Sequence, residues 1–199
     1  MQKTDRKTGV ESLPSTEAIR SELNRVRRRR AFGSTLRSTI FTLVTVAAAA
    51  VLVAVLLLPV LQIYGQSMQG TLNNGDIVVC IKGGEFRTGD VVAFYYNNKI
   101  LVKRVIAGEG DWVDMDQDGT VYVNNEKLEE PYLTNGTDYG DTNITFPYQV
   151  PEGKIFVMGD NRDVSIDSRN TAVGCVSDEQ VVGRIVFRVW PFRKIGVIH

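Results

Sequence analysis

Residues 40–63 run IFTLVTVAAAAVLVAVLLLPVLQI without one charged side chain, and this stretch constrains the chain more than any other. Its polar interruptions are Thr42, Thr45 and Gln62. At ~1.5 Å per residue a helix of this length covers roughly 36 Å, enough for the ~30 Å hydrocarbon core of a bilayer with modest tilt. A membrane span is expected, with Pro59 marking a kink or the helix exit. A cleaved leader fits less well, because the region before it is 37 residues long and the apolar core exceeds the usual leader length.

The formal net charge of zero hides an asymmetry. Residues 1–37 carry ten Lys and Arg against four Asp and Glu, whereas residues 38–199 carry thirteen against nineteen. By the positive-inside rule the expected organisation is a cytoplasmic basic tail (1–37), a transmembrane helix (38–63) and an extracytoplasmic domain (64–199). The expected location is the plasma membrane, single-pass, with the lipid bilayer as a partner and no nucleic acid. Within the tail, residues 1–15 are expected to be mobile. A helix is expected after an N-cap at Ser15, with Ile19, Leu23 and Val26 on one face. The cluster Arg25 and Arg27 to Arg30 serves as a topogenic charge block or attracts anionic headgroups.

The remainder has β character. Short runs rich in β-branched and aromatic residues occur at 76–82, 91–96, 100–107, 120–123, 155–158 and 181–189. Turn signals such as Asn73-Asn74-Gly75, Gly83-Gly84, Asn97-Asn98 and Asp118-Gly119 separate them. The domain is expected to be mostly β, an antiparallel sheet or barrel-like arrangement, with residues 129–153 as a long loop.

Two cysteines, Cys80 and Cys175, stand far apart without a CxxC spacing, which excludes a structural zinc site of the usual kind. Two separate buried thiols fit their strand-like surroundings better than a bridge, which an exported domain would allow. The sole histidine is the terminal His199, so Ser-His-Asp and Cys-His catalysts are disfavoured and attention falls on lysine. A serine needs a base to remove its proton, and a lysine serves only when neutral, its pKa lowered from ~10.4 to roughly 7 or 8 by apolar burial. Lys103 lies in a β-patterned run where Leu101 and Val105 share its face and Arg104 points away. Ser67 follows the apolar run by four residues. Taken singly, each is an ordinary strand lysine or surface serine.

Four segments together carry a resemblance. Ser67-Met68-Gln69-Gly70-Thr71 resembles an S-M-x-P-T box, and Thr88-Gly89-Asp90-Val91-Val92 a G-D-[IV]-V box. Residues 103–111, KRVIAGEGD, resemble K-R-V-I-G-x-x-G-D, and residues 159–169, GDNRDVSIDSR, resemble G-D-N-R-D-N-S-x-D-S-R. In this order, after one apolar span, they are the boxes of bacterial type I signal peptidases, the serine/lysine kind, over residues 63–176.

The resemblance implies a membrane-anchored serine endopeptidase that removes signal peptides from exported preproteins, with small residues at positions −1 and −3 of the substrate and no cofactor or metal. It makes Ser67 the nucleophile, Lys103 the general base and Ser165 the residue that orients the lysine. Arg104, Asp160, Asp167 and Arg169 would form ion pairs that shape the site. The Ser67 amide would donate to the oxyanion. The position two residues before the nucleophile, a serine in many relatives, is Gly65, as in Gram-positive relatives with glycine there. Gly70 replaces the usual proline, Glu109 stands where the lysine box commonly has proline, and Val164 replaces asparagine. The glycines on either side of Ser67 are where this chain is expected to differ from its relatives.

Two local motifs are weighed and set aside. Asp114, Asp116, Asp118 and Gly119 start like a calcium loop, but Asn125 stands at position twelve, and an Asp-Gly hairpin turn is the better reading. The sequons at Asn135 and Asn143 carry little meaning in a chain resembling bacterial enzymes. The rival functions are a non-proteolytic assembly factor on the same scaffold, as in pilus assembly, and a self-cleaving LexA-type repressor. Retention of both Ser67 and Lys103 argues against the first, and the apolar span against the second.

Overall fold

The computed structural model describes residues 16–133 and 139–198. The expected mobile segment 1–15, its N-cap Ser15, the sequon at Asn135 and the terminal His199 lie outside the described residues. Helix α1 (Thr16–Leu57) carries the basic cluster and most of the apolar run as one continuous helix. Its segment Thr35–Val53, 19 residues, is long and apolar enough to cross a membrane. The hydroxyls of Thr42 and Thr45 donate to the carbonyls of Ser38 and Phe41, each at 2.9 Å, so the two threonines among the three polar interruptions are satisfied within the helix itself.

Pro59 ends the helix, because the residue before a proline is pushed out of the α region. The apolar run then changes use. Its residues 60–62 form strand β1 (Val60–Gln62), which pairs with β2 (Ile77–Ile81) through Val60↔Val79, Leu61↔Val78 and Gln62↔Ile77. The helix expected to reach residue 63 therefore stops at Leu57, and ten residues rather than four separate its end from Ser67. A short aliphatic run has no period that distinguishes a helix end from a strand; only pairing decides it.

The further strands are β3 (Val91–Tyr96), β4 (Lys99–Ala107), β5 (Trp112–Met115), β6 (Val121–Val123), β7 (Glu126–Lys127), β8 (Tyr148–Gln149), β9 (Lys154–Met158), β10 (Val176–Ser177), β11 (Val181–Trp190) and β12 (Gly196–Val197). The larger sheet has the order β1-β2-β11-β3-β4-β9-β10, with β12 also on β11; the smaller has the order β7-β6-β5-β8. Every pairing is antiparallel, in agreement with the expected antiparallel sheet, although several join strands far apart in sequence. Among the described residues beyond α1, helical geometry is confined to two short 3-10 turns, Asp178–Gln180 and Phe192–Lys194.

Three buried clusters hold the domain. One gathers Leu72, Val78, Cys80 and Ile185, a second Ile106, Val113 and Phe156, and a third Val92, Phe94, Val105 and Val157. Strand β4 feeds all three, since Val102 packs on the first, Ile106 on the second and Val105 on the third. Alternation along β4 thus fixes it from both faces. Cys80 and Cys175 belong to different clusters and are unbridged; burial pushes the Cys80 thiol up to about 11 and raises that of Cys175. The Asp-rich stretch is a hairpin turn between β5 and β6, with the Asp116 carboxylate accepting the amides of Asp118 at 3.0 Å and Thr120 at 2.8 Å.

Candidate active site

Strand β4 presents two cations in succession. Lys103 is opposite Val92, and Arg104 lies between Val91 on β3 and Met158 on β9. Both are buried, at 3% and 1% exposure, which demands a partner for each. Successive side chains leave a strand on opposite faces, and the partners differ accordingly. Lys103 Nζ donates to Ser165 Oγ at 3.0 Å. Arg104 grips Asp160 with Nε at 2.9 Å and Nη2 at 2.8 Å, and also donates to the Gly89 carbonyl and the Thr71 hydroxyl.

Ser165 is fixed by what lies behind it. Its hydroxyl donates to Asp167 Oδ2 at 2.6 Å, so its single proton is committed there and its oxygen must accept from the lysine. Asp167 is fully buried; burial alone would raise its carboxyl. The hydrogen bonds and charge of Arg169, the Ser165 hydroxyl and the Gly159 amide outweigh that and hold it below the usual carboxylate range. Arg169 donates to it through Nε at 2.9 Å and Nη2 at 3.0 Å, and ties the same loop to the carbonyls of Tyr139 and Arg162. A carboxylate locked as acceptor therefore sets the direction of each proton from Asp167 back to Lys103.

Ser67 enters from another part of the chain. It sits in a turn closed by the Gln69 amide donating to the Gln66 carbonyl at 3.0 Å, with left-handed backbone at Gly65 (φ 100°) and Gly70 (φ 112°) on either side. Its carbonyl oxygen accepts the Asn161 amide at 3.0 Å. Gly159 permits this approach: a Cβ there would collide with the Ser165 hydroxyl and lie 2.6 Å from the Ser67 carbonyl oxygen. The nucleophile candidate and the lysine's partner thus meet on the two sides of one glycine. Among the described residues Lys103 Nζ has no hydrogen bond to the Ser67 hydroxyl; the two are brought to one neighbourhood through Ser165 and Gly159.

Burial lowers the Lys103 amine to about 8; the charges of Asp167 and Asp160 oppose the shift and that of Arg169 favours it. A neutral amine is therefore well populated just above neutral pH. Ser67 also opens onto a groove of about 720 Å³ whose lining includes the aliphatic Leu61, Ile63, Ile100 and Val102 together with Met68 and the polar Asn98 and Lys99. No group of three His, Cys, Asp or Glu side chains suited to a metal occurs among the described residues.

The seven site residues expected from sequence fall around one centre: Lys103, Ser165, Asp167 and Arg169 form one chain of contacts, Arg104 and Asp160 a second, and Ser67 lies against the loop carrying both. Of the unusual residues, Glu109 has a role in place of proline, since its carboxylate accepts the Gly153 amide at 2.7 Å and braces the turn before β5. Val164 is exposed, so asparagine's absence removes nothing from the core. Sequence reasoning missed Glu130 and Tyr132, in the expected long loop: Tyr132 lies 3.9 Å under the Arg104 guanidinium, and Glu130 pairs with Arg162. The one trace they leave in sequence is a Glu-Pro-Tyr step amid otherwise unpatterned residues.

The family described as "Signal peptidase, peptidase S26" matches residues 36–190. Signal peptidase IB of Staphylococcus aureus (strain COL) is 42% identical over 152 residues, 66% of this chain and 78% of that protein. Signal peptidase I of Bacillus licheniformis is 40% identical over 143 residues, 66% of this chain and 76% of that protein. A crystal structure of a signal peptidase I from Enterococcus faecalis V583, at 32% identity, aligns with 51% of this chain and 97% of its own at a TM-score of 0.44. The chain belongs to the signal peptidase S26 family, the serine peptidases that cleave signal peptides from preproteins.

Proposed function

We propose that this chain cleaves signal peptides with Ser67 as nucleophile and Lys103 as general base. The observation that carries the reading is the buried relay Lys103–Ser165–Asp167 beside Ser67, with the amine lowered to about 8. Ser165 accepts one amine N–H and leaves the nitrogen lone pair of neutral Lys103 to take the Ser67 proton. The Ser67 oxygen then adds to the scissile carbonyl, and the new ammonium returns its proton to the departing amine of the mature chain. Water, deprotonated by the regenerated amine, releases the signal peptide from the acyl-enzyme. The Ser67 amide donates to no group among the described residues, which supports its use toward the oxyanion, where one good donor is worth roughly 10²–10³ in rate.

Arg104–Asp160 and Asp167–Arg169 hold the loop in place; a displacement of about 1 Å can cost ~10² in rate. The aliphatic walls of the groove fit small apolar side chains at substrate positions −1 and −3. The ten basic residues among residues 1–37, against four acidic ones, favour a cytoplasmic N-terminus and an extracytoplasmic catalytic domain at the bilayer surface. The test is cleavage of a preprotein by the detergent-solubilised chain beside Ser67→Ala and Lys103→Ala. Both variants are expected to be inactive; undiminished cleavage by either would remove that residue from the mechanism.

A further inference from the structure

We infer that Glu130 and Tyr132, outside the boxes shared with the family, are positioning residues for this reaction, clamping from one short turn both flanks of the nucleophile; the inference rests on the Ser67/Lys103 reading. The turn is built for it. Pro131 sets the second position, and the Leu133 amide donates to the Glu130 carbonyl at 3.2 Å, so the flanking side chains are held in one small frame.

Two arms leave that frame. The Glu130 carboxylate receives Arg162 Nη2, and Arg162 Nε donates to the Gly159 carbonyl at 3.0 Å. Gly159 is the residue wedged between the Ser165 hydroxyl and the Ser67 carbonyl. The Tyr132 ring packs 3.9 Å from Arg104, whose guanidinium reaches Asp160 and the hydroxyl of Thr71, four residues beyond Ser67. The arms are coupled, because the Tyr132 hydroxyl donates to Glu130 Oε1 at 2.8 Å, the same oxygen that Arg162 uses. Burial and the adjacent Glu130 charge raise the Tyr132 phenol, keeping it a donor.

The clamp has little redundancy on one side. Arg162 is 2% exposed, and among the described residues its Nη1 has no hydrogen-bond partner and Glu130 supplies its one carboxylate. Without that charge, a buried cation pulls toward solvent and takes the Gly159 carbonyl with it. Neither Glu130 nor Tyr132 belongs to the relay that moves the proton. Their effect passes through Arg162, Gly159 and Arg104.

The experiment measures kcat, KM and the pH profile of preprotein cleavage by the full detergent-solubilised chain carrying Glu130→Gln, Tyr132→Phe or Tyr132→Leu, well below each variant's melting temperature. Tyr132→Phe keeps the ring under Arg104 and should stay within about threefold of the unaltered chain. Glu130→Gln and Tyr132→Leu should lower kcat about tenfold or more with KM little changed. In Glu130→Gln the acid limb should move to higher pH, as water reaching a loosened Lys103 restores its ordinary basicity. Unchanged kcat and pH profile in both, a loss confined to KM, or failure of all three to fold would each overturn the inference, the last by making the turn a stability element. Ser67→Ala run in parallel separates the outcomes: if it still cleaves, the underlying mechanism has failed instead.

Discussion

The Asn161 amide donates to the carbonyl oxygen of Ser67 at 3.0 Å, so the loop whose Ser165 holds the Lys103 amine also holds the backbone of the proposed nucleophile. The contact depends on the missing side chain of Gly159. Gly159→Ala should reduce kcat about a hundredfold, because the new methyl must displace either Ser165 or Ser67. Stability should fall by about 1–3 kcal/mol, the usual range for overpacking. Steady-state kinetics beside a urea titration checks both, and wild-type kcat in a folded variant would contradict the packing argument.

As the proposed general base, the Lys103 amine should impose a pH dependence on both rate and stability. The rate should climb with pH through a midpoint near 8, where the neutral base becomes the major form. For stability, the amine is protonated in folded and unfolded chains alike below about 8, and the fold carries the full penalty of a buried cation. Between about 8 and 10.5 the unfolded chain keeps a proton that the folded one has released, so this group's contribution rises with pH. Lys103→Met should therefore be inactive yet more stable at pH 7, by up to about 3 kcal/mol, with the advantage shrinking toward pH 10. Melting curves across that range, with no such convergence, would refute the assignment.

Asp167 also stabilises more as pH rises, but because its charged form is favoured in the fold rather than penalised. Its carboxyl is held below the ordinary range, so its stabilisation is present above the unfolded carboxylate value and disappears as pH falls through the folded one. Asp167→Asn turns an amide NH₂ toward donors on Arg169, Ser165 or Gly159 and takes the Asp167 charge away from the buried Arg169 cation. A loss of about 3–5 kcal/mol is expected at pH 7, together with a flatter acid limb of stability. Denaturant titrations between pH 3 and 7 measure it.

Gly70 is a positional requirement and not merely a looser link. At φ 112° it occupies backbone that proline, locked near −65°, cannot adopt. Restoring the proline typical of the family, Gly70→Pro, should impair this chain. The turn that aims Thr71 at Arg104 would open, lowering stability by more than about 1 kcal/mol and activity with it. Equal or better activity in Gly70→Pro would show that the turn tolerates the other conformation.

Much of the domain could be read from its residues, for reasons specific to each element. β3 carries β-branched and aromatic side chains between Gly89-Asp90 and Asn97-Asn98, and pattern and turns alone locate Val91–Tyr96. β1 escapes such reading because it continues an apolar helix, and β8 and β10 because two residues become a strand only through a partner. At the site, local periodicity gave a half-apolar face for Lys103 and nothing more. Ser165 and Asp167 emerged through the boxes resembling the family, since a serine and an aspartate two apart signal no chemistry until Arg169 and Gly159 converge on them. Glu130 and Tyr132 left almost no trace, as their partners lie about 30 residues away along the chain.

The division of the apolar run between α1 and β1 makes its two parts answer to different rules of substitution. Across Thr35–Val53 one aliphatic residue can replace another, and the helix tolerates a shift in length through tilt. From residue 60 onward, register governs. One residue inserted between Gln62 and Ile63 would reverse the faces of Val60, Leu61 and Gln62 against β2 and turn Leu61 out of the groove that Ser67 opens onto. The same insertion a few turns earlier would be nearly silent, so hydropathy alone is a poor guide to which changes in this stretch matter.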